Sequence, residues 1–129
     1  MNQKVKDALA ETAKDFRLPR YEEIPDVGLY LEQVTKYVGD CLAPLTQTAV
    51  TGSMISNYVK RGLIANPVKK QYDRDQIAYL IFISVTKIVL SMDDIRLMVS
   101  VQKQTYSPRV AYNYFCREFE NVLDYVFGN

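Results

Sequence analysis

Five basic side chains lie close together in the middle of this chain: Lys60, Arg61, Lys69, Lys70 and Arg74. Residues 51–74 carry five Lys or Arg residues against one Asp or Glu residue, a net charge of +4, whereas the whole 129-residue chain has a net charge of +1. A confined cluster of positive charge on a nearly neutral protein is typical of a surface that binds a polyanion. The sequence therefore directs attention to phosphate recognition in this segment.

Enzyme chemistry has little support in the composition. The chain contains no histidine, which removes the commonest general base and the commonest metal ligand. It also has no glycine-rich phosphate loop, no GxSxG sequence and no HExxH sequence. The carboxylate pairs Glu22-Glu23 and Asp93-Asp94 consist of adjacent residues, whose side chains diverge on any regular element. We therefore expect a protein that is not an enzyme and that has neither a metal site nor a cofactor.

The two cysteines, Cys41 and Cys116, are far apart and do not form a CxxC pair. This spacing argues against a disulfide scaffold or a zinc site and favours buried, reduced thiols. No apolar run approaches the roughly 20 residues that a membrane-spanning helix needs, and the N-terminus lacks the apolar core of a secretion signal. We expect one domain covering residues 1–129, located in the cytoplasm.

The N-terminal half predicts a long helix preceded by an irregular segment. Asp26 is predicted to cap this helix, which ends before Pro44. Apolar side chains recur along it at spacings of three and four: Val27, Tyr30, Leu31, Val34, Tyr37, Val38, Cys41 and Leu42. Residues 16–25 contain two prolines and are predicted to lie over the core. Residues 2–15 predict a short helix from weaker periodicity.

A second helix is predicted to start with Thr51 as its N-cap and to end at Gly62, which suits a left-handed terminating residue. Its inward side chains are Ile55, Tyr58 and Val59. The opposite stripe carries short or polar side chains at positions i, i+3, i+4 and i+7: Ser53, Ser56, Asn57 and Lys60. A helix with one apolar face and one polar face can pack on its own core and lie against a partner.

Residues 65–72 contain Asn66-Pro67 and Lys69-Lys70 and predict a loop or tight hairpin. The capping box at residues 73–76 precedes the apolar run IAYLIFISVTKIV, which is compatible with a helix or a buried strand, although its length favours a helix. Ser91 predicts the start of a further helix.

The Ser107-Pro108 pair predicts the start of the last helix. Its apolar side chains alternate spacings of three and four: Tyr112, Phe115, Phe119, Val122 and Val126. Such a seam packs helices together. It can dock on its own domain or form a dimer, and the sequence leaves both open.

The order of these elements resembles the winged helix-turn-helix of MerR-type transcriptional regulators. That family has a segment of the form V-S-P-x-T-L-R-Y-Y-x-x-x-G-L-L, then a proline, a basic R-x-Y wing and a helix of the form D-L-x-x-L-x-F-I. The matching residues are Val50, Thr51, Ile55, Tyr58, Gly62, Leu63, Ile64, Pro67, Lys70, Tyr72, Ile77, Leu80, Phe82 and Ile83. Residues 90–95 are similar to the family's G-F-S-L-x-E-I. This resemblance extends from Val50 to Val101.

A longer resemblance is to a Gram-positive bacterial family called domain of unknown function 1836. It is carried by residues 17–30, RLPRYEEIPDVGLY, and by residues 54–60, MISNYVK. That family is generally regarded as MerR-like and DNA-binding. The resemblance implies a bacterial protein with a mostly α, winged helix-turn-helix fold, its core at about residues 26–104. The helix at about residues 107–127 remains for packing or dimerisation.

The resemblance also implies double-stranded DNA as the partner and a set of contact residues: Thr51, Ser53, Ser56, Asn57, Lys60, Arg61, Lys69, Lys70 and Tyr72. The Asn57 amide can read adenine, whereas the lysines contact phosphate regardless of sequence. Ser56 stands where the family has an arginine and Asn57 where it has its first tyrosine. The phosphate contacts of the second helix are therefore either weaker than in the family or supplied by Lys60 and Arg61.

We expect a sequence-specific transcriptional regulator that acts as a repressor and binds two half-sites as a homodimer. The residues after the predicted fourth helix are too few for an effector-binding domain, so no small-molecule ligand is implied. The alternative is a protein-interaction module that has kept the winged fold and lost DNA binding. The dependence of duplex affinity on salt distinguishes these two functions.

Overall fold

A computed structural model describes residues 3–4, 16–45, 50–87 and 92–127. The prediction of a mostly helical protein is confirmed, and the helices are accompanied by a two-stranded sheet. In chain order the elements are a 3-10 turn Tyr21–Glu23, strand β1 Leu29–Tyr30, helices α1 Leu31–Leu42 and α2 Gly52–Lys60, strand β2 Gln71–Tyr72, and helices α3 Arg74–Thr86, α4 Met92–Thr105 and α5 Pro108–Phe127. Apart from helical residues 3 and 4, the predicted N-terminal helix lies outside the described residues, as does Ser91.

Helix α1 begins later than predicted, and Asp26 is not its cap. The N-cap is Tyr30, whose backbone N–H donates to Gln33 Oε1 at 2.8 Å. Strand β1, Leu29–Tyr30, lies directly before the first helical residue, Leu31, and pairs with β2 in antiparallel register. This pairing holds the chain extended where the sequence predicted the first helical turn. Val27, which was expected on the apolar stripe, is 66% exposed.

The rest of the α1 stripe is confirmed. Val34, Val38 and Leu42 are buried in the core, and they recur at intervals of four residues on one side of the helix. Cys41 is partly buried. Periodicity therefore predicted the packed face of α1 correctly, although it did not predict where the helix begins.

Helix α2 has the ends that the sequence predicted. Thr51 Oγ1 accepts a hydrogen bond from Met54 N at 3.1 Å. Gly62 follows the helix with a φ of 78°, a conformation that residues with a β-carbon adopt only at a cost. Ile55 and Tyr58 are buried, as expected.

Residues 68–71 form a tight hairpin, one of the two alternatives that the sequence left open. Val68 N donates to Gln71 O at 3.0 Å, and Gln71 N donates to Val68 O at 2.9 Å. Lys69 and Lys70 occupy the two turn positions with φ values of 52° and 65°. Positive φ at both central positions is the requirement of a type I′ turn. Both lysine side chains are exposed.

The apolar run after Asp73 is helical, as its length favoured. Asp73 Oδ1 accepts from Gln76 N at 2.8 Å, and Gln76 Oε1 accepts from Asp73 N at 2.7 Å. This capping box begins α3, in which residues 76–78 and 80–85 are all buried. A helix enclosed by other elements is apolar all round, which is why its sequence also resembled a buried strand.

Helix α5 packs on its own domain. Ser107 Oγ accepts from Val110 N at 3.3 Å at its start, as predicted. The Phe115 ring lies 4.8 Å from the Phe82 ring of α3 and 5.8 Å from the Phe119 ring. Val122, which the predicted seam included, is instead 55% exposed. The side chain of Val126 lies outside the described residues.

Residues 16–24, here called the strap, lie over the core as predicted. Leu18 and Ile24 are fully buried. Arg20 places both terminal nitrogens 2.7 Å from the carboxylate oxygens of Glu120 on α5, and Leu18 N donates to the same carboxylate at 2.9 Å. The strap therefore holds α5 against the core. In the part of the chain that the structure describes, no helix combines the length and apolarity that crossing a membrane requires.

Candidate nucleic-acid interface

The polar stripe of α2 faces solvent. Ser53, Ser56, Asn57 and Lys60 are all exposed, on the side opposite the buried Ile55. Within the described residues, no hydrogen bond engages the side chains of the two serines or the Asn57 amide. These uncharged groups are therefore available to an external partner over about one helical turn.

Contacts at both ends fix the orientation of α2. At its start, a β-carbon on Gly52 would lie 3.2 Å from Leu31 Cδ2, so that α2 packs closely against the beginning of α1. In its last turn, the Tyr58 hydroxyl accepts a hydrogen bond from Lys87 Nζ at 3.0 Å. These contacts hold the apolar side of α2 inward and leave its polar stripe outward.

Four cations at the end of α2 and in the hairpin lack ion pairs within the described residues: Lys60, Arg61, Lys69 and Lys70. By contrast, six arginines and lysines elsewhere each pair with a carboxylate: Arg17, Arg20, Lys36, Arg74, Arg109 and Arg117. Because an ion pair cancels much of the field of each charge, these four cations keep more of their positive potential than the six paired ones. Lys87, Arg96 and Lys103 also lack ion pairs within the described residues, but they lie outside the basic segment.

Arg74, the fifth cation of the basic segment, is held by contacts with other parts of the chain. Its Nε donates to Ile24 O at 3.1 Å, its guanidinium lies 5.1 Å from the centre of the Tyr21 ring, and it approaches Asp26 at 3.9 Å. Arg74 therefore ties the strap to α3 and does not contribute to the candidate interface.

A groove of about 690 Å³ separates the hairpin from the start of α1. Its lining residues are Tyr30, Leu31, Glu32, Gln33, Pro67, Lys70 and Tyr72. Leu31 lines this groove together with Lys70 and also contacts the start of α2 at Gly52. The hairpin and α2, the two parts of the predicted site, are therefore both positioned around one residue of α1.

Tyr72 is buried, whereas a residue that contacts DNA was expected to be exposed. Its side chain is only 5% exposed and belongs to the hydrophobic core, and burial raises the pKa of its hydroxyl. Tyr72 anchors β2, so we leave it out of the candidate interface. Thr51 is exposed, but its hydroxyl oxygen already accepts the cap hydrogen bond; its O–H can still donate to a phosphate.

Tyr30 is a candidate that the sequence analysis did not identify as a contact residue. The periodicity placed it on the apolar face of α1, but its side chain is 52% exposed and lines the groove beside Lys70. The signal that identifies it is the pairing of β1 with β2. This pairing joins residues about forty positions apart and leaves no local pattern in the sequence.

Two other kinds of functional site, a metal site and a reactive thiol, find no support among the described residues. No group of three or more Asp, Glu or Cys side chains among them is arranged to hold a metal ion. Both cysteines are free, and Cys116 is buried. Burial raises the pKa of each thiol to about 11, so both remain protonated and weakly nucleophilic at neutral pH.

A protein-family model matches residues 19–115; its description is Domain of unknown function (DUF1836). No curated protein and no solved structure matches the chain. The matched range extends from the strap into α5. It therefore includes the polar stripe of α2, the hairpin and the groove between the hairpin and α1.

Proposed function

The chain belongs to the family described as domain of unknown function 1836, whose description assigns no activity, and we propose that it is a sequence-specific DNA-binding transcriptional regulator. In this proposal α1, α2, the hairpin and α3 act as a MerR-like winged helix-turn-helix. Helix α2 enters the major groove, and the hairpin is the wing that contacts the phosphate backbone beside it.

The distribution of unpaired charge carries this proposal. Exposed, uncharged polar groups at Ser53, Ser56 and Asn57 lie on the same helix as Lys60, and Lys69 and Lys70 occupy the following hairpin. Uncharged polar side chains read base edges by hydrogen bonds, whereas flanking cations neutralise phosphates. The candidate interface has both kinds of group, and its cations are not consumed by internal ion pairs.

We further propose that the protein is a homodimer that occludes a promoter in the bacterial cytoplasm, and is therefore a repressor. Four cations neutralise only a few phosphates, which gives one module weak affinity, and two linked modules on two half-sites compensate for this weakness. Exposed apolar side chains on the outer face of α5, including Tyr114 and Tyr125, support this face as the contact with a second copy.

The test measures affinity for a random-sequence duplex at increasing salt by fluorescence anisotropy. Four phosphate contacts per subunit predict a log–log slope of about −3.6 for each bound subunit, from about −0.9 per contact. As a control, Lys36→Gln combined with Arg17→Gln removes two cations that already form ion pairs and should leave the slope unchanged. A slope near zero for the unmodified protein would contradict the proposal.

A second candidate is a protein-interaction module that shares the winged fold and does not bind DNA. The observation in its favour is the exposure of large apolar side chains on α4 and α5, such as Leu97, Val101 and Tyr125. This candidate predicts the near-zero salt slope that the DNA-binding proposal forbids. The same anisotropy experiment therefore separates the two functions.

A further inference from the structure

A second groove, of about 300 Å³, lies where the base of the hairpin, the start of α3 and the turn between α4 and α5 meet. Its lining residues are Ala65, Asp73, Asp75, Gln76, Tyr79, Lys103, Tyr106 and Pro108, and we call it the Tyr79 groove. Its volume lies at the lower end of the range for small-molecule sites. It shares no lining residue with the candidate nucleic-acid interface.

Aromatic surface in the Tyr79 groove already binds one ammonium group. Lys103 Nζ lies 5.0 Å from the centre of the Tyr79 ring, within the distance of about 6 Å that defines a cation–π contact. Tyr106 adds a second ring that is 56% exposed. The groove therefore has the aromatic surface that recognises an organic cation, and a side chain of its own chain occupies part of it.

Two carboxylates give the groove its negative charge. Asp73 Oδ1 accepts from Gln76 N, and Asp75 Oδ1 accepts from the Tyr21 hydroxyl at 2.7 Å. Neither carboxylate has an ion-pair partner within the described residues. Both lie at the start of α3, where the helix dipole contributes about +0.5 charge. The local charge is thus about −1.5 without Lys103 and about −0.5 with it.

We propose that the Tyr79 groove binds a small organic cation whose ammonium group contacts the faces of Tyr79 and Tyr106. Asp73 and Asp75 balance the charge of this ligand. Lys103 is an internal competitor, because its ammonium occupies the Tyr79 ring until the ligand displaces it. Burial, together with the negative charge of Asp75, raises the pKa of Tyr79, so the ring stays a neutral phenol.

This site goes beyond the proposed DNA-binding function and does not depend on it. The sequence implied no small-molecule ligand. The Tyr79 groove leaves no pattern in the sequence, because residues 65, 73–79 and 103–108 come together only in the folded chain. Gln76 also links the groove to the hairpin, since its Nε2 donates to Ala65 O at 2.9 Å and to Asn66 O at 3.1 Å. A bound cation would therefore lie next to the residues that support the hairpin.

The test is a titration of the full 129-residue protein with choline, followed by the NMR chemical shifts of the Tyr79, Lys103 and Tyr106 amides. The control ligand is the neutral analogue in which carbon replaces the quaternary nitrogen of choline. We expect saturable shifts with choline and none with the neutral analogue. Equal shifts with both ligands would show a merely apolar groove and would overturn the proposal.

The Lys103→Met variant gives the sharpest outcome. Removal of the competing ammonium should tighten choline binding about two- to fivefold, the size of an exposed cation–π contact. Asp73→Asn should weaken it, although asparagine preserves the helix cap. Asp124→Asn makes the same charge change outside the groove and should have no effect. Weaker or unchanged binding in Lys103→Met, or no saturable binding in that variant, overturns the proposal.

Discussion

Asn57 is the side chain in the candidate interface with the greatest capacity to distinguish bases. Its amide offers a donor and an acceptor together, it is exposed on α2, and no hydrogen bond within the described residues engages it. A bidentate amide contact with adenine is worth about 1–3 kcal/mol of discrimination. Because Asn57 is uncharged, this contribution is independent of counterion release.

Replacement of Asn57 by alanine should therefore remove sequence preference without changing the salt dependence. Against a duplex selected from a random pool, Asn57→Ala should lose about tenfold or more in affinity, while its affinity for a scrambled duplex stays the same. The comparison variant, Lys60→Gln, should reduce the affinity for both duplexes equally. It should also decrease the magnitude of the salt slope by about 0.9 for each bound subunit. Equal weakening of both duplexes by Asn57→Ala would show that Asn57 does not read a base.

Local hydrogen bonds are the features of single residues that the sequence predicted best. Thr51 and Asp73 cap their helices as expected because a cap joins residues only three positions apart. The surroundings of Asp26 and Tyr72 were not predictable in this way. Both depend on the pairing of β1 with β2, which fixes the start of α1 and buries the Tyr72 ring.

The hairpin between α2 and α3 combines backbone strain with charge. Lys69 and Lys70 both have positive φ, which costs residues other than glycine about 1 kcal/mol or more each. Asn-Gly is the pair that best satisfies a type I′ turn, so folding stability alone does not explain two lysines here. Strain of this kind is concentrated at functional sites, and phosphate binding supplies a reason to retain both charges.

Substitution of the turn by Lys69→Asn with Lys70→Gly should therefore separate stability from binding. The free energy of unfolding should rise by about 1–2 kcal/mol. The magnitude of the salt slope of duplex binding should decrease by about 1.8 for each bound subunit. Chemical denaturation and anisotropy measure the two effects. Lys69→Gln with Lys70→Gln retains the strain and should change only the slope. Undiminished duplex affinity in both variants would exclude the hairpin from the interface.

Helix α3 shows how far periodicity predicts an element. Its β-branched run left helix and strand open, because a helix buried on nearly all sides has no polar stripe. The length of the run and its capping box favoured a helix, and this prediction is confirmed. Helix α2 was easier to predict because its two faces differ. Its polar stripe, which forms the candidate interface, could be read from the spacing of Ser53, Ser56, Asn57 and Lys60.

The strap and α5 are joined across the whole chain by Arg20 and Glu120. Burial raises the pKa of Glu120, but hydrogen bonds from Arg20 and Leu18 N outweigh burial, and the net pKa lies below its usual value. A carboxylate with a lowered folded-state pKa stabilises the protein above its unfolded pKa of about 4.3, and this stabilisation is lost as the pH falls through the folded-state value.

Glu120→Gln should accordingly lower the free energy of unfolding by about 1–3 kcal/mol at neutral pH, the value of hydrogen bonds to a charged group. The difference from the unmodified protein should shrink below about pH 4. Urea denaturation at both pH values measures it. Asp40→Asn, on an exposed carboxylate 2.8 Å from Lys36, should have almost no effect. A pH-independent difference for Glu120→Gln would mean that charge is not involved.

The outer face of α5 has a pattern that suits a second copy of the chain. Val110, Tyr114 and Tyr125 are exposed on it, and Arg117 and Glu118 lie between them. In an antiparallel pair of α5 helices with a twofold axis between residues 117 and 118, Val110 would face Tyr125, and Arg117 would face Glu118. Each contact would then occur twice, as an isologous interface requires.

Tyr125→Glu should break this interface without unfolding the subunit, because the Tyr125 side chain is 90% exposed. It would place two new charges opposite apolar side chains, at a cost of several kcal/mol if they stay unpaired. Sedimentation should show a dimer for the unmodified protein and a monomer for Tyr125→Glu, together with a loss of affinity for duplexes that contain two half-sites. Val27→Glu introduces the same charge on an exposed side chain that does not belong to α5, and this variant should remain dimeric. The arrangement would be contradicted if the unmodified protein were a monomer at the concentrations at which it binds DNA. One subunit would then supply all the affinity for DNA.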